Sequence, residues 1–177
     1  MTAILITGGV RSGKSRHAES LFAPDEQLVY LTPGYPADAA ADPEWAARVA
    51  NHQERRPSSW RTVETLNLAQ ALNETELPAL IDCVGVWATR TIDALNGWDR
   101  PLADWRGDFD TEVERLTAAV SAHRANVVLV SNEVGWGVVP PTPAGRVFAD
   151  LLGHTNQRLA AVCDKVVLMV AGRKLEL

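Results

Sequence analysis

Gly8-Gly9-Val10-Arg11-Ser12-Gly13-Lys14-Ser15 is the stretch on which the reading of this chain turns. It fits the pattern G-x-x-x-x-G-K-[ST], follows the apolar run Ala3 to Thr7 directly, and leads into a helix-forming stretch, Ser15 to Leu21. Strand, glycine-rich turn and helix in that order make an anion cradle. Glycines let the backbone curl until successive N–H groups point inward at phosphate oxygens, and the helix N-terminus adds partial positive charge. Lys14 then reaches the β and γ phosphates, and the Ser15 hydroxyl is placed to ligate Mg²⁺. A unit charge pair about 4 Å apart at an effective dielectric near 20 is worth about 4 kcal/mol before desolvation, so Lys14 should outweigh any single glycine of the loop.

Outward from this loop, short apolar and β-branched runs recur at Leu28 to Thr32, Ala79 to Cys83, Val127 to Ser131 and Lys165 to Val170. Between them lie stretches of helical character: Pro43 to Glu54, Val84 to Leu95, Asp110 to Ala125 and Pro143 to Val162. Parallel neighbours need crossover connections, which are usually helical, so the alternation predicts an α/β fold: a mainly parallel sheet with helices on both faces. Arg173 to Leu177 follow a strand and Gly172 closely enough to fold back as an antiparallel edge strand. Strand order is not encoded in such a pattern. The stretches Pro33 to Pro43 and Gly97 to Gly107 read as excursions from one domain spanning residues 1–177.

Composition narrows the function. The chain has 177 residues, 46% hydrophobic and 22% charged, enough for a core that buries ~70% of the unfolded surface. Its 22 acidic against 17 basic residues give a net charge of −5, without the basic footprint of a nucleic-acid binder. No apolar run reaches the ~18 residues of a membrane span, and no secretory segment opens the chain, so a cytoplasmic protein is expected. Cys83 and Cys163 lie far apart in apolar runs and read as buried reduced thiols.

Two further features bear on chemistry. The run Ala79-Leu80-Ile81-Asp82 has the form of a second nucleotide-site strand, with Asp82 beside the metal; a helix-capping acid would look the same. The four histidines, His17, His52, His123 and His154, have no metal-motif spacing, which argues against zinc. His17, His123 and His154 read as helix-surface residues. His52 differs, because it stands in Asn51-His52-Gln53-Glu54-Arg55-Arg56-Pro57, a basic helix end stopped by proline. Either an anionic substrate or simple complementation of the helix dipole explains those arginines.

The chain resembles the bifunctional adenosylcobinamide kinase/adenosylcobinamide-phosphate guanylyltransferases of cobalamin biosynthesis over nearly its whole length. The matching stretches are Ile4 to Glu19, Arg48 to Pro57 followed by Trp60-Arg61-Thr62-Val63-Glu64, Leu80 to Cys83, Ser131-Asn132-Glu133-Val134-Gly135-Trp136-Gly137-Val138-Val139-Pro140, and Asn156 to Ala160. The resemblance implies a P-loop NTPase (RecA-like) fold and a covalent guanylyl group on His52. It also implies nucleotide contacts from Gly8, Gly9, Val10, Arg11, Ser12, Gly13, Lys14 and Ser15, around Thr32, from Gln53, Glu54, Arg55 and Arg56, and at Glu64 and Asp82. A neutral imidazole is a good nucleophile toward phosphorus, and flanking guanidinium groups would oppose its protonation and stabilise departing phosphate. Two departures stand out: Asn51 where relatives often carry a second histidine, and Arg90 where asparagine is usual.

The activities so implied are two, with ATP or GTP and Mg²⁺: phosphorylation of adenosylcobinamide, then transfer of GMP from GTP to adenosylcobinamide phosphate. Such a large acceptor suits a cleft between subunits, and the resemblance implies a homotrimer. Gly135 and Gly137 after a strand permit unusual backbone angles, and Glu133 reads either as a capping acid or as a group that orients metal or a substrate hydroxyl. The tryptophans at 45, 60, 87, 98, 105 and 136 read as core or subunit-contact residues. A small-metabolite kinase without guanylyl transfer, or a nucleotide switch without catalysis, shares the loop but leaves His52 unexplained.

Overall fold

A computed structural model of the chain describes residues 2–36, 40–54 and 56–177, with the side chains of residues 45, 48, 51 and 52 left out. The elements follow in the order β1 (Ala3–Gly8), α1 (Lys14–Glu19), β2 (Leu28–Thr32), α2 (Pro43–Glu54), β3 (Trp60–Glu64), α3 (Leu68–Asn73) and β4 (Ala79–Asp82). Then come α4 (Val84–Ala94), α5 (Arg106–Ala122), β5 (Val127–Val130), α6 (Pro143–Ala160), β6 (Lys165–Val170) and β7 (Arg173–Glu176). The strands form one seven-stranded sheet in the order β3-β2-β4-β5-β1-β6-β7. Every pair is parallel except β6 with β7, where the chain folds back as the sequence allowed.

Successive strand residues point to opposite faces, and in β1, β2, β4 and β5 both faces are covered, which is why these strands read as apolar runs. Leu28 and Tyr30 of β2 join Ile6, Leu80, Val128 and Val130 under Ala18 of α1 and the following Phe22. Val29 and Leu31 join Leu5, Ile81 and Leu129 on the other face, beneath α3, α4, α5 and α6. The larger of the two layers thus lies under the four later helices. Two elements were not expected, β3 and α3. The excursion from Gly97 to Gly107 is partly ordered: it contains a 3-10 turn, Leu102–Asp104, and α5 opens at Arg106 rather than Asp110.

That excursion delivers Trp105, only 1% exposed, into the core against Phe109. A Cβ built on Gly97 would stand 2.8 Å from two ring atoms of Trp105 and 3.0 Å from Ile92. A rigid buried indole cannot yield that space, so Gly97→Ala should destabilise by about 1–3 kcal/mol through overpacking. At ~2–4 °C per kcal/mol for a chain of this size, thermal unfolding should show a midpoint several degrees lower. An unchanged midpoint would mean that Trp105 is free to move.

The sheet order decides where function gathers. β1 leaves toward β2 on one side while β5, inserted between β1 and β4, leaves toward β6 on the other. Ligands in open α/β sheets collect outside the carboxyl ends of strands at such a reversal. The register pairs Asp82 with Val130, and Val130 with Ile6, so the ends of β4, β5 and β1 stand side by side.

Candidate active site

The phosphate loop joins β1 to α1, and its two motif glycines are sterically required. Gly8 has φ +147° and a Cβ there would lie 2.4 Å from the Met169 carbonyl oxygen; Gly13, at φ +97°, caps α1 from the left-handed region. Gly9 has open space around it, so its glycine is not dictated by the fold. The turn between β6 and β7 closes over the loop, where Gly172 N–H donates to the Ser12 carbonyl at 2.9 Å. Ser12 Oγ is buried without a hydrogen-bond partner among the described residues, a polar atom awaiting one.

Lys14 is 8% exposed, and its Nζ donates to the carbonyls of Gly8 at 2.8 Å and Gly9 at 2.7 Å. Burial holds its pKa below the usual lysine value, while Cys83 and Asp82 push it back up. The ammonium is therefore held inside the loop that a triphosphate would fill.

A cleft of about 1230 Å³ opens above the loop, exceeding the ~300–1,000 Å³ typical of small-ligand pockets. Asp82 enters it from β4, and the Tyr30 hydroxyl donates to its Oδ2 at 2.9 Å. Tyr30 is 1% exposed, and burial followed by the Asp82 charge raises its pKa well above the usual phenol value, so it stays a donor. The Arg56 guanidinium lies 3.7 Å from the Tyr30 ring centroid, and its Nη1 donates to Thr62 Oγ1 at 3.2 Å. Trp60 stacks on Tyr30, with ring centroids 6.1 Å apart. Arg56, Tyr30 and Asp82 thus join the end of α2 to the phosphate-loop side of the cleft.

Val10, Arg11, Ser12, Gly13, Lys14, Ser15, Thr32, Gln53, Arg56, Glu64 and Asp82 all line this one cleft. Gly8 and Gly9 are not among its lining residues. Glu54 does not line it: one residue after Gln53 the helix has turned about 100°, and Glu54 is exposed. Arg55 and the side chain of His52 lie outside the described residues. The backbone of His52 belongs to the turn of α2 between Val49 and Gln53, both of which line the cleft. Ser15 and Asp82 bring a hydroxyl and a carboxylate to the same cleft, the hard oxygen donors that suit Mg²⁺. Among the described residues no group of three or more His, Cys, Asp or Glu could hold a metal.

Other expectations need correction. His123 is buried, not on a helix surface, and its Nε2 lies 3.0 Å from the Leu77 carbonyl oxygen. Cys83 and Cys163 are free but only half-buried; burial pushes the Cys83 thiol up to about 11 and the Cys163 thiol to about 12, so neither is a nucleophile at neutral pH. The tryptophans divide without contradicting the core-or-subunit-contact expectation: Trp60, Trp87 and Trp105 are buried in the core, and Trp136 is 71% exposed. Several cleft residues were not foreseen, among them Tyr30, His17 and Asn132. Arg90, noticed only as a departure, reaches from α4 to donate to the carbonyls of Pro33 and Gly34, both at 2.9 Å, and so holds the entry to the loop before α2.

Comparison with known proteins fixes the family. The model for cobinamide kinase / cobinamide phosphate guanyltransferase matches residues 4–177. The chain belongs to this family. It is 40% identical to the bifunctional adenosylcobalamin biosynthesis protein CobU of Salmonella typhimurium over 177 residues, 96% of each chain. It is 37% identical to the corresponding protein CobP of Pseudomonas aeruginosa, covering 98% of this chain and 95% of that one. Among solved structures, a prototypical ATPase from the type III secretion system of pathogenic bacteria superposes with a TM-score of 0.54 at 14% identity, over 94% of this chain. The chain spans half of that structure, and the likeness is one of fold, that of the P-loop NTPases. Membership makes the chain an enzyme of the cobinamide kinase and cobinamide phosphate guanylyltransferase type.

Proposed function

We propose that this chain, as a single nucleotide-binding and catalytic domain over residues 1–177, phosphorylates adenosylcobinamide with ATP or GTP. It then transfers GMP from GTP to adenosylcobinamide phosphate through a guanylyl group on His52, giving adenosylcobinamide-GDP. The observation that carries the reading is that one cleft is walled both by the phosphate loop and by the turn of α2 that contains His52.

In the first reaction the acceptor hydroxyl oxygen bonds to the γ-phosphorus, the bridging bond to the β-phosphate breaks, and a nucleoside diphosphate leaves. Lys14 and the loop N–H groups hold the triphosphate and take up charge as it moves toward the leaving group. In the second, an imidazole nitrogen of His52 bonds to the α-phosphorus of GTP and pyrophosphate departs. The phosphate oxygen of the acceptor then displaces the histidine. Arg56 faces the departing charge, Thr32, Gln53 and Glu64 bound the nucleotide, and Arg55 would add a second guanidinium. Ser15 and Asp82 would hold Mg²⁺, which when bound neutralises phosphate charge. The exposed apolar residues Trp136, Val138 and Val139 offer surface for assembly as a homotrimer. Triphosphate substrates point to the cytoplasm, and among the described residues no helix is long and apolar enough to cross a membrane.

The test is double labelling. With γ-labelled triphosphate, adenosylcobinamide should acquire label; with α-labelled GTP and Mg²⁺, the denatured protein should carry label that acid removes and alkali does not. Label on the acceptor but none on the protein would leave a plain small-metabolite kinase. Slow hydrolysis with neither label would leave a nucleotide switch.

A further inference from the structure

We infer that Tyr30 is a positioning residue of the guanylyl transfer, its ring holding the Arg56 guanidinium in the cleft without neutralising it. The role rests on the reading above, in which Arg56 faces the departing pyrophosphate. In that step the histidine nitrogen supplies the electron pair of the new bond to the α-phosphorus, and the pair of the broken Pα–O bond leaves on pyrophosphate. A cation helps only if its charge is kept for that anion and its aim is fixed beforehand.

A carboxylate partner would fix the aim and cancel the charge. Glu44 and Glu64 line the same cleft, yet among the described residues neither they nor any other carboxylate forms an ion pair with Arg56. The groups that do hold it are neutral: the Tyr30 ring, 3.7 Å from the guanidinium carbon, and Thr62 Oγ1, which accepts from Nη1 at 3.2 Å. Arg56 Nε is buried and, among the described residues, has no hydrogen-bond partner, so the guanidinium keeps a donor unspent.

The sheet puts both holders side by side. Tyr30 of β2 is in register with Thr62 of β3, and strand neighbours so paired share a face. Arg56 reaches them from the turn between α2 and β3, where its N–H donates to the Gln53 carbonyl at 3.1 Å. Tyr30 is itself fixed. It lines the cleft yet is almost wholly buried, it stacks on Trp60 with 22° between the ring planes, and Phe22 packs edge-on against Trp60. Its hydroxyl donates to Asp82, a residue whose proposed part both reactions share, whereas its ring meets Arg56, which the proposal assigns to guanylyl transfer alone. The two ends of one side chain are therefore separable.

The readout is a ratio: the rate at which α-labelled GTP labels the full chain, divided by the rate of γ-label transfer to adenosylcobinamide in the same preparation. Losses common to both reactions, partial unfolding included, cancel from it. Y30L removes the ring and should lower the ratio by about tenfold, within the range of a lost cation–π contact. Y30F keeps the ring and should leave the ratio within about twofold of wild type. R56A should lower it by about a hundredfold, and Y30L added to R56A should lower it no further, since no guanidinium is left to place. An unchanged ratio in Y30L, or a full further tenfold loss in the double variant, would overturn the inference and leave Tyr30 a core residue. Y30F decides without Y30L if the latter does not fold: a tenfold lower ratio there would put the effect in the hydroxyl and overturn the role of the ring. Wild-type protein that takes up no α label would instead overturn the guanylyl reading, and the role of Tyr30 with it.

Discussion

Lys14→Ala should lower both γ-phosphoryl transfer to adenosylcobinamide and guanylyl labelling of the protein by about a thousandfold. The magnitude follows from the charge: a contact worth about 4 kcal/mol at an effective dielectric near 20 corresponds to roughly three powers of ten. The geometry explains why both activities should fall together. Lys14 is almost fully buried, and its ammonium already sits on the Gly8 and Gly9 carbonyls at the centre of the loop. Any triphosphate that enters must meet it there. The phosphate loop, Gln53 and Arg56 line a single cleft, the one proposed to take the whole nucleotide. Removing the cation therefore weakens the grip on β and γ phosphates whether the attack falls on the γ- or the α-phosphorus. Steady-state rates with γ-labelled triphosphate and the yield of protein-bound α label measure the two losses on one preparation. If guanylyl labelling survived in Lys14→Ala while the kinase was lost, α2 would have a nucleotide site of its own.

Whether such a site was legible in the sequence depends on how local each part is. The phosphate loop was, because strand, turn and helix are contiguous and because Gly8 and Gly13 are fixed by backbone angle and contact rather than by preference. β1, β2, β4 and β5 were legible because burial on both faces leaves them almost wholly apolar, and β6 because its middle, Val166 to Met169, is apolar although its ends are exposed. β3 was not: it lies at the sheet edge, and Arg61, Thr62 and Glu64 are exposed, so no apolar run marks it. α3 spans six residues, too short for a helical period to show. The wiring of the cleft was out of reach for a different reason. Tyr30 and Asp82 are 52 residues apart and meet only because β2 and β4 are neighbours, an order the alternation of elements does not encode. The same holds for the closure of the β6–β7 turn over Ser12 and for the pairing of Glu133 with Gly8. His52 is the mixed case. Its local setting, a cationic helix end before Pro57, suits dipole complementation as well as catalysis, and only the company of distant motifs favoured the second.

His52→Ala is the variant that separates those two readings, and its expected result is lopsided. Protein-bound label from α-labelled GTP should vanish, and net formation of adenosylcobinamide-GDP should fall by four powers of ten or more, on the order seen when a covalent nucleophile is removed. Transfer of γ label to adenosylcobinamide should stay within about threefold of wild type, because no step of it bonds to the imidazole. A helix-end cation would behave otherwise. Losing a dipole partner costs about 0.3–1 kcal/mol, a small change in stability with little effect on either reaction. Arg56 gives a second handle on the same question. It is anchored to Tyr30 and Thr62 independently of residue 52, so the guanidinium proposed to face the leaving pyrophosphate should remain in place in the variant. An intact charge environment with no nucleophile should bind GTP and release nothing from its α-phosphorus. Persistent, acid-labile label in His52→Ala would assign the covalent step to another side chain and return His52 to the role of a charge at the end of a helix.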